Sequence, residues 1–277
     1  MASNTDYTPT AQRFVDKVVI VTGGGAGIGY ETARRFAAEG ARVAIFDLDE
    51  KAAHSIADTI RADGGQALPV RVDMTDEDAV ATAVATVLDT WGNLDVLVNN
   101  AGHGDPKFVR DMSVDEWDRM LTLNLRSVFL GSRAVWPTFE NQGHGVILNA
   151  SSITGRMAMF GLAAYGASKS AIATATRVMA IEGGRVGIRV NCVSPGYILT
   201  PGFQEFIDLQ DDPTAFHDAM AHQSALRRFG SPGDVAEAYL YLASDAAGWV
   251  TGTDLVVDGG ITAGQLPNQD PRAQPAG

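Results

Sequence analysis

The sequence predicts an α/β protein, a single doubly wound parallel sheet of about seven strands with helices on both faces. Apolar, β-branched runs alternate with longer helical stretches, without an intervening linker, from about Lys17 to Ile261. Most of these runs are continuously apolar, the pattern of strands covered on both sides. The first passes directly into a glycine-rich turn and then a helix, the opening of the crossover that parallel strands require.

In chain order, strands are expected at residues 18–21, 42–46, 68–72, 96–98, 146–148, 188–193 and 255–257. Helices are expected at 28–39, stopped by Gly40, at 50–62, stopped by Gly64-Gly65, at 76–90, and in long stretches around Arg126 and Ala171. Residues 14–262 read as one domain, with tails at 1–13 and 263–277. Residues 265–277, rich in Pro, Gln and Asn, read as a loose tail. The stretch 197–228, weak in strand signal and rich in aromatics and acids, belongs beyond a strand's carboxyl end, where ligands bind and lids move.

Composition excludes several functions. A chain of 277 residues, 45% hydrophobic, is long enough for a sizeable core. Its net charge of −12 repels phosphate backbones and anionic membrane surfaces, so neither nucleic acid nor membrane is an expected partner. Residues 1–12 carry no basic leader and no apolar core, and no run approaches the ~20 apolar residues of a membrane helix. The single cysteine, Cys192, cannot close an internal disulfide and suits a reduced, cytoplasmic setting. Lying in an apolar strand, it is expected to be buried and inert. The five histidines, His54, His103, His144, His217 and His222, show no metal-ligand spacing, so no metal site is expected.

After the first strand comes Thr22-Gly23-Gly24-Gly25-Ala26-Gly27-Ile28-Gly29. Its Gly-x-x-x-Gly-x-Gly spacing differs from the usual Gly-x-Gly-x-x-Gly, and no Lys follows to make a Walker loop. Glycines there permit positive φ and leave room for a pyrophosphate against the N–H groups of a helix start, whose dipole favours an anion. Asp47 ends the second strand 18 residues after Gly29, near the offset of the acid that holds an adenosine ribose. Its charge would repel a 2′-phosphate, so NAD is expected rather than NADP. Arg34 and Arg35 are the nearby cations, and a helix-surface role is the simpler account of both.

Tyr165 and Lys169 stand four residues apart on one face of an expected helix. By itself that spacing says little. It gains weight from Ser152 at a strand end, from Asn99-Asn100-Ala101-Gly102 after the fourth strand, and from Asn124. With Asp73 after the third strand and Pro195-Gly196 leading to Thr200, the chain resembles the short-chain dehydrogenase/reductase family over residues 14–262. The resemblance implies a Rossmann-type NAD(P)-dependent oxidoreductase with a catalytic tetrad of Asn124, Ser152, Tyr165 and Lys169, and a homo-oligomer, usually a tetramer or dimer. It also implies a cofactor site formed by Gly23, Gly25, Gly27, Ile28, Asp47 and Asn100, with Asp73 and Met74 at the adenine. Ile198 and Thr200 would then lie at the nicotinamide carboxamide, and Lys169 at the nicotinamide ribose. The segment Ile181-Glu182-Gly183-Gly184 departs from the longer Ala- and Leu-rich helix end common in the family, at a distance from every catalytic position.

The chemistry can be argued independently. Taking a proton from an alcohol while hydride leaves its carbon needs a base, and a free phenol, with a pKa of ~10, is protonated at neutral pH. Bringing it near 7 takes about 4 kcal/mol. A unit positive charge at ~4 Å supplies on the order of 4 kcal/mol at an effective dielectric near 20, so Lys169 is adequate in scale. Ser152 would bond the substrate oxygen, and Asn124 would hold a water that relays the proton from Lys169.

A substrate pocket is expected from Ile153, Thr154, Met157, Met159, Phe160, Tyr197, Phe203 and Phe206, a lining suited to an apolar or cyclic secondary alcohol. His103 is either a substrate contact or a solvated loop residue, and Arg227-Arg228 read as an anchor for the lid or a subunit contact. The leading expectation is an NAD-dependent secondary alcohol dehydrogenase or ketone reductase. An NADP-dependent 3-oxoacyl reductase and a non-catalytic NAD-sensing subunit stay open as alternatives.

Overall fold

The computed structural model describes residues 12–264. The expected N-terminal segment up to residue 11 and the expected tail at 265–277 lie outside the described residues. Seven strands form one parallel sheet: β1 (Val18–Thr22), β2 (Arg42–Asp47), β3 (Gln66–Arg71), β4 (Val96–Asn99), β5 (Gly145–Ala150), β6 (Ile188–Pro195) and β7 (Asp254–Val257), in the order β3-β2-β1-β4-β5-β6-β7. All seven expected strands are present, and each differs from its expected span by up to two residues at an end. Pro69 sits in β3, at the sheet edge, where a missing N–H costs no ladder bond.

Alternation along β1 distributes the core between two layers. Val19 and Val21 pack with Phe36 of α1 (Gly27–Ala38), Ala57 and Ile60 of α2 (Glu50–Ala62), and Val235 and Tyr239 further along the chain. Val18 and Ile20 face the other layer, with Val84 and Val87 of α3 (Glu77–Trp91). These side chains are almost wholly removed from water, and at about 25 cal/mol per Å2 of apolar surface their burial is the main force holding the sheet. Asp49 and Asp76 cap α2 and α3 by accepting from backbone N–H groups two and three residues on. No side chain caps α1, which begins at Ala26 on the glycine turn.

The helical stretch around Arg126 is not continuous. It consists of α4 (Val114–Leu121), a π-turn (Thr122–Arg126) and α5 (Ser127–Gln142), opened by a Ser113–Glu116 capping box. The second long stretch is α6 (Ala163–Gly184), which runs through the unusual Gly183-Gly184 end. Gly183 lies close against Ile188 and Trp136, where a larger side chain would not fit.

Beyond β6, residues 197–228 form two short helices, α7 (Pro201–Asp208) and α8 (Pro213–Ala221), followed by α9 (Pro232–Ala243). Thr200 and Asp212 cap α7 and α8, each followed by a proline at the first helical position. The two pack on a small core of their own around Ile207, Ala221 and Phe229. Among the described residues, no helix is long and apolar enough to cross a membrane.

Candidate active site

Strand order reverses between β2-β1 and β4-β5, so the chain leaves β1 and β4 in opposite directions and opens a crevice at their carboxyl ends. The glycine turn closes one side of it. Gly23 and Gly27 have φ of 61° and 54°, values that a side chain resists. The Gly25 N–H donates to Asp47 Oδ2 at 2.8 Å, and Asp47 Oδ1 accepts from the Asp49 N–H at 2.9 Å. Asp47 therefore holds the turn in shape, beside the start of the uncapped α1. Asn100 fastens the turn to the end of β4, its amide donating to the Thr22 carbonyl at 3.0 Å. Gly27 faces Thr200 across the crevice, since a Cβ there would meet Thr200 Cγ2 at 3.3 Å.

The other side is built from β5 and α6. Ser151 Oγ donates to the Lys169 carbonyl at 2.9 Å, tying the strand end to the helix, and Lys169 Nζ donates to the Ala150 carbonyl at 2.8 Å. The Lys169 ammonium lies 5.4 Å from the centroid of the Tyr165 ring. Burial without a carboxylate partner lowers Lys169 to about 8. Tyr165 behaves differently from the sequence argument. Burial raises its pKa above the ordinary phenol value, and the Ser152 hydroxyl facing it pulls the other way. Burial is the larger of these two influences, and the sequence argument, which weighs only the ammonium, does not contain it.

Asn124 is fully buried inside the π-turn. Its carboxamide grips the loop after β4 from both sides, accepting from the His103 N–H at 3.1 Å and donating to the His103 carbonyl at 2.8 Å. A Cβ on Gly102 would meet both Asn124 Oδ1 at 2.5 Å and Lys169 Nζ at 3.3 Å. One on Gly104 would meet the Tyr165 ring at 3.2 Å. This loop thus lies directly on the tyrosine and its lysine.

A cleft of about 730 Å3 runs between the two sides. Of the expected residues, Gly23, Gly27, Ile28, Asn100, Ser152, Tyr165, Lys169, Ile198 and Thr200 line it. Gly25, Asp47, Asp73, Met74 and Asn124 do not. Asp47 stands behind the turn, Asp73 accepts from the N–H and hydroxyl of Thr75, and Met74 is buried.

On the substrate side, Ile153, Thr154, Met159, Tyr197, Phe203 and Phe206 line the cleft. Met157 and Phe160 do not, contrary to expectation. The Lys107 N–H donates to the Gly161 carbonyl at 2.7 Å, and the loop turns outward, leaving Phe160 88% exposed against Phe108. His103 stands at the mouth, its Nε2 2.7 Å from Asp105, which also accepts from Arg119. Arg34 bonds Glu31 along α1, as expected, whereas Arg35 is buried and bonds both Glu31 and Glu237, tying α1 to α9 rather than serving the helix surface. Arg228 bonds Asp234 at the start of α9, an anchor as expected. Cys192 is buried, and burial pushes its thiol up to about 12. Among the described residues no cluster of three His, Cys, Asp or Glu could hold a metal.

Leu162 and Tyr239 are among the cleft residues that the sequence does not single out. Leu162 precedes α6 in an irregular loop, and Tyr239 lies in an apolar helical pattern that reads as core.

A family model described as enoyl-(acyl carrier protein) reductase matches residues 23–262. The cyclopentanol dehydrogenase of Comamonas testosteroni is 43% identical over 251 residues, covering 91% of this chain and 99% of that protein. The chain belongs to the short-chain dehydrogenase/reductase family. The 2,5-dichloro-2,5-cyclohexadiene-1,4-diol dehydrogenase of Sphingobium indicum is 37% identical to this short-chain dehydrogenase/reductase over 254 residues, 92% of this chain and 99% of that one. A solved structure of 7α-hydroxysteroid dehydrogenase, complexed with NADH and 7-oxo glycochenodeoxycholic acid, superposes with a TM-score of 0.85 at 37% identity. That match spans 92% of this chain and 97% of the other. Family membership makes this short-chain dehydrogenase/reductase an oxidoreductase.

Proposed function

We propose that residues 14–262 form one catalytic domain, an NAD-dependent oxidoreductase that interconverts a secondary alcohol and a ketone on an apolar or cyclic substrate. The observation that carries this reading is the convergence of Ser152, Tyr165 and Lys169 on one wall of the cleft, opposite the turn at Gly23 and Gly27. The names of the relatives, dehydrogenases of cyclic alcohols, diols and hydroxysteroids, support the substrate class.

The residues fit a dinucleotide. The positive-φ turn and the uncapped start of α1 offer backbone N–H groups to a diphosphate. Asp47, although both its oxygens accept backbone N–H groups, keeps further lone pairs that a ribose diol could use beyond the turn, and Arg34 and Arg35 are engaged with Glu31 rather than offered to a 2′-phosphate. Thr200 and Ile198 face the nicotinamide end. When bound, the nicotinamide supplies the hydride acceptor and a positive ring.

In oxidation, Ser152 holds the alcohol oxygen and steadies charge developing there. Tyr165, as phenolate, takes the hydroxyl proton as the hydride departs. Lys169, fixed on the Ala150 carbonyl, stabilises that phenolate, and the proton taken up returns to solvent through Lys169, which releases one of its own protons to a water path beside Asn124 and receives the phenol's in exchange. Because burial raises the phenol, Lys169 would share the stabilising role with the positive ring of a bound nicotinamide. Helices α5 and α6 expose Phe129, Val178 and Ile181, and Trp249 is fully exposed, which supports a homodimer or homotetramer.

The test follows the near-ultraviolet absorbance of reduced nicotinamide over a panel of cyclic, aryl and steroid-like secondary alcohols, with NAD and NADP compared. Turnover with NAD on cyclic alcohols, and weaker use of NADP, is the expected result. A second reading, an NADP-dependent 3-oxoacyl reductase, draws on the acyl substrate in the description of the matched family model, and preference for NADPH with a 3-oxoacyl thioester would establish it instead.

A further inference from the structure

Tyr239 lies two turns into α9, its ring in the core beside Val21, Leu148 and Val193. The residue is fully buried, yet it is one of the residues that line the cleft, as are Gly23, Ala150, Pro195 and Gly196 at the carboxyl ends of β1, β5 and β6. Its hydroxyl has no hydrogen-bond partner among the described residues. Buried polar groups are almost always paired, so an exception asks for a cause. A phenylalanine would fill the same space without the cost of an unpaired hydroxyl.

The direction of the side chain is set by the helix. Helical side chains lean toward the helix start, and α9 starts at Ser231-Pro232, next to the Ile198–Gly230 bridge that forms the cleft wall. The side chain therefore leans toward the end of α9 that lies nearest the cleft. Of the described buried side-chain atoms without a partner, only Thr154 Oγ1 and the Tyr239 hydroxyl belong to cleft residues. Thr154 can turn its hydroxyl about a single bond, whereas the hydroxyl of Tyr239 stands at the end of a rigid ring.

We propose that the Tyr239 hydroxyl is a further cofactor contact, donating a hydrogen bond to an oxygen of the nicotinamide-ribosyl-phosphate half of the bound dinucleotide. This rests on the dinucleotide reading above. The nicotinamide half is indicated by the packing of α9 against β5 and β6, whose cleft ends at Ala150 and Pro195-Gly196 adjoin Lys169 and Ile198 and lie on other strands than Asp47 and Asp73. Burial, with the nearby Cys192 and Tyr165, holds the phenol far above its ordinary pKa. It is a neutral donor at every working pH and takes no part in proton transfer.

The experiment compares wild type with Tyr239→Phe in three measurements: NADH affinity by fluorescence titration, AMP affinity by competition, and thermal unfolding without nucleotide. The expected result is NADH binding weakened about five-fold, the scale of one neutral hydrogen bond, with AMP affinity unchanged and the nucleotide-free melting temperature equal or higher. Equal NADH affinity in the two proteins would overturn the inference and leave the enzyme assignment standing. Parallel loss for NADH and AMP would overturn it as well, as would a lower melting temperature without nucleotide, which would mark the hydroxyl as structural. A wild type that binds neither NADH nor NADPH would remove the dinucleotide reading and this inference together.

Discussion

The two walls of the cleft are held by different forces. The β5–α6 wall, with Ser152, Tyr165 and Lys169, is fixed by directional bonds from buried groups: Ser151 to the Lys169 carbonyl, Lys169 to the Ala150 carbonyl, and Asn124 to both sides of His103. The α7–α8 wall is held by rings. Phe203 lies within 6.3 Å, centroid to centroid, of Tyr197, Phe206 and Phe229, and Phe206 meets Phe216 at 5.8 Å. Hydrogen bonds fix atoms to tenths of an ångström, whereas apolar contacts are non-directional and tolerate repacking. The first wall is suited to chemistry and the second to choosing among substrates.

The largest test of that division is Tyr165→Phe. Its kcat with NAD and a responsive cyclic alcohol should fall about 1000-fold, the range of general acid–base catalysis, with NADH affinity and melting temperature little altered. Equal rates in the two proteins would end the assignment of this wall to chemistry.

A second test uses the electrostatic cost of the same wall. Lys169 has a folded pKa of about 8, below its ordinary 10.5. Between those values the unfolded chain binds more protons than the folded one, so unfolding free energy rises with pH across that window. The rise amounts to about 3 kcal/mol. Denaturant titrations from pH 7 to 11 should show wild type gaining about 3 kcal/mol relative to Lys169→Met across that window, the opposing contributions of Cys192 and the buried phenols being common to both proteins. The same slope in both proteins would mean that Lys169 is not electrostatically penalised.

The smallest effect is expected on the aromatic wall. Phe203→Ala should lower kcat/KM for a large cyclic alcohol by about ten-fold, in line with the one to three kcal/mol of a hydrophobic pocket contact, and leave a small alcohol nearly unaffected. Equal losses for both substrates would show that the aromatic wall also orients the reacting groups.

The hydrogen-bonded wall was also the more legible of the two in the sequence. Tyr165 and Lys169 were recognisable because one helix sets their spacing, and the strands because both their faces are apolar. The capped prolines at Thr200-Pro201 and Asp212-Pro213 mark the starts of α7 and α8, but helices this short carry too little periodicity to stand out within residues 197–228. The outward turn of Phe160 depends on a backbone bond between Lys107 and Gly161, which nothing local encodes. The burial that raises the Tyr165 phenol is not legible either, because spacing gives the distance of a charge and says nothing of how dry its surroundings are. Tyr239 was invisible for a related reason, since an amphipathic pattern shows which way a residue faces and not whether its tip finds a partner.

The π-turn at Thr122–Arg126 has a consequence for how this chain can vary. A π-turn carries one residue more than an α-turn, and removing a residue from a helix rotates everything after it by about 100°. Winding the same residues regularly would therefore swing Val128, Val135 and Phe139 of α5 out of the core, whereas deleting the extra residue would leave α5 facing the core and remove the bulge that carries the Asn124 amide to His103. The extra residue thus serves the loop after β4 rather than the packing of α5.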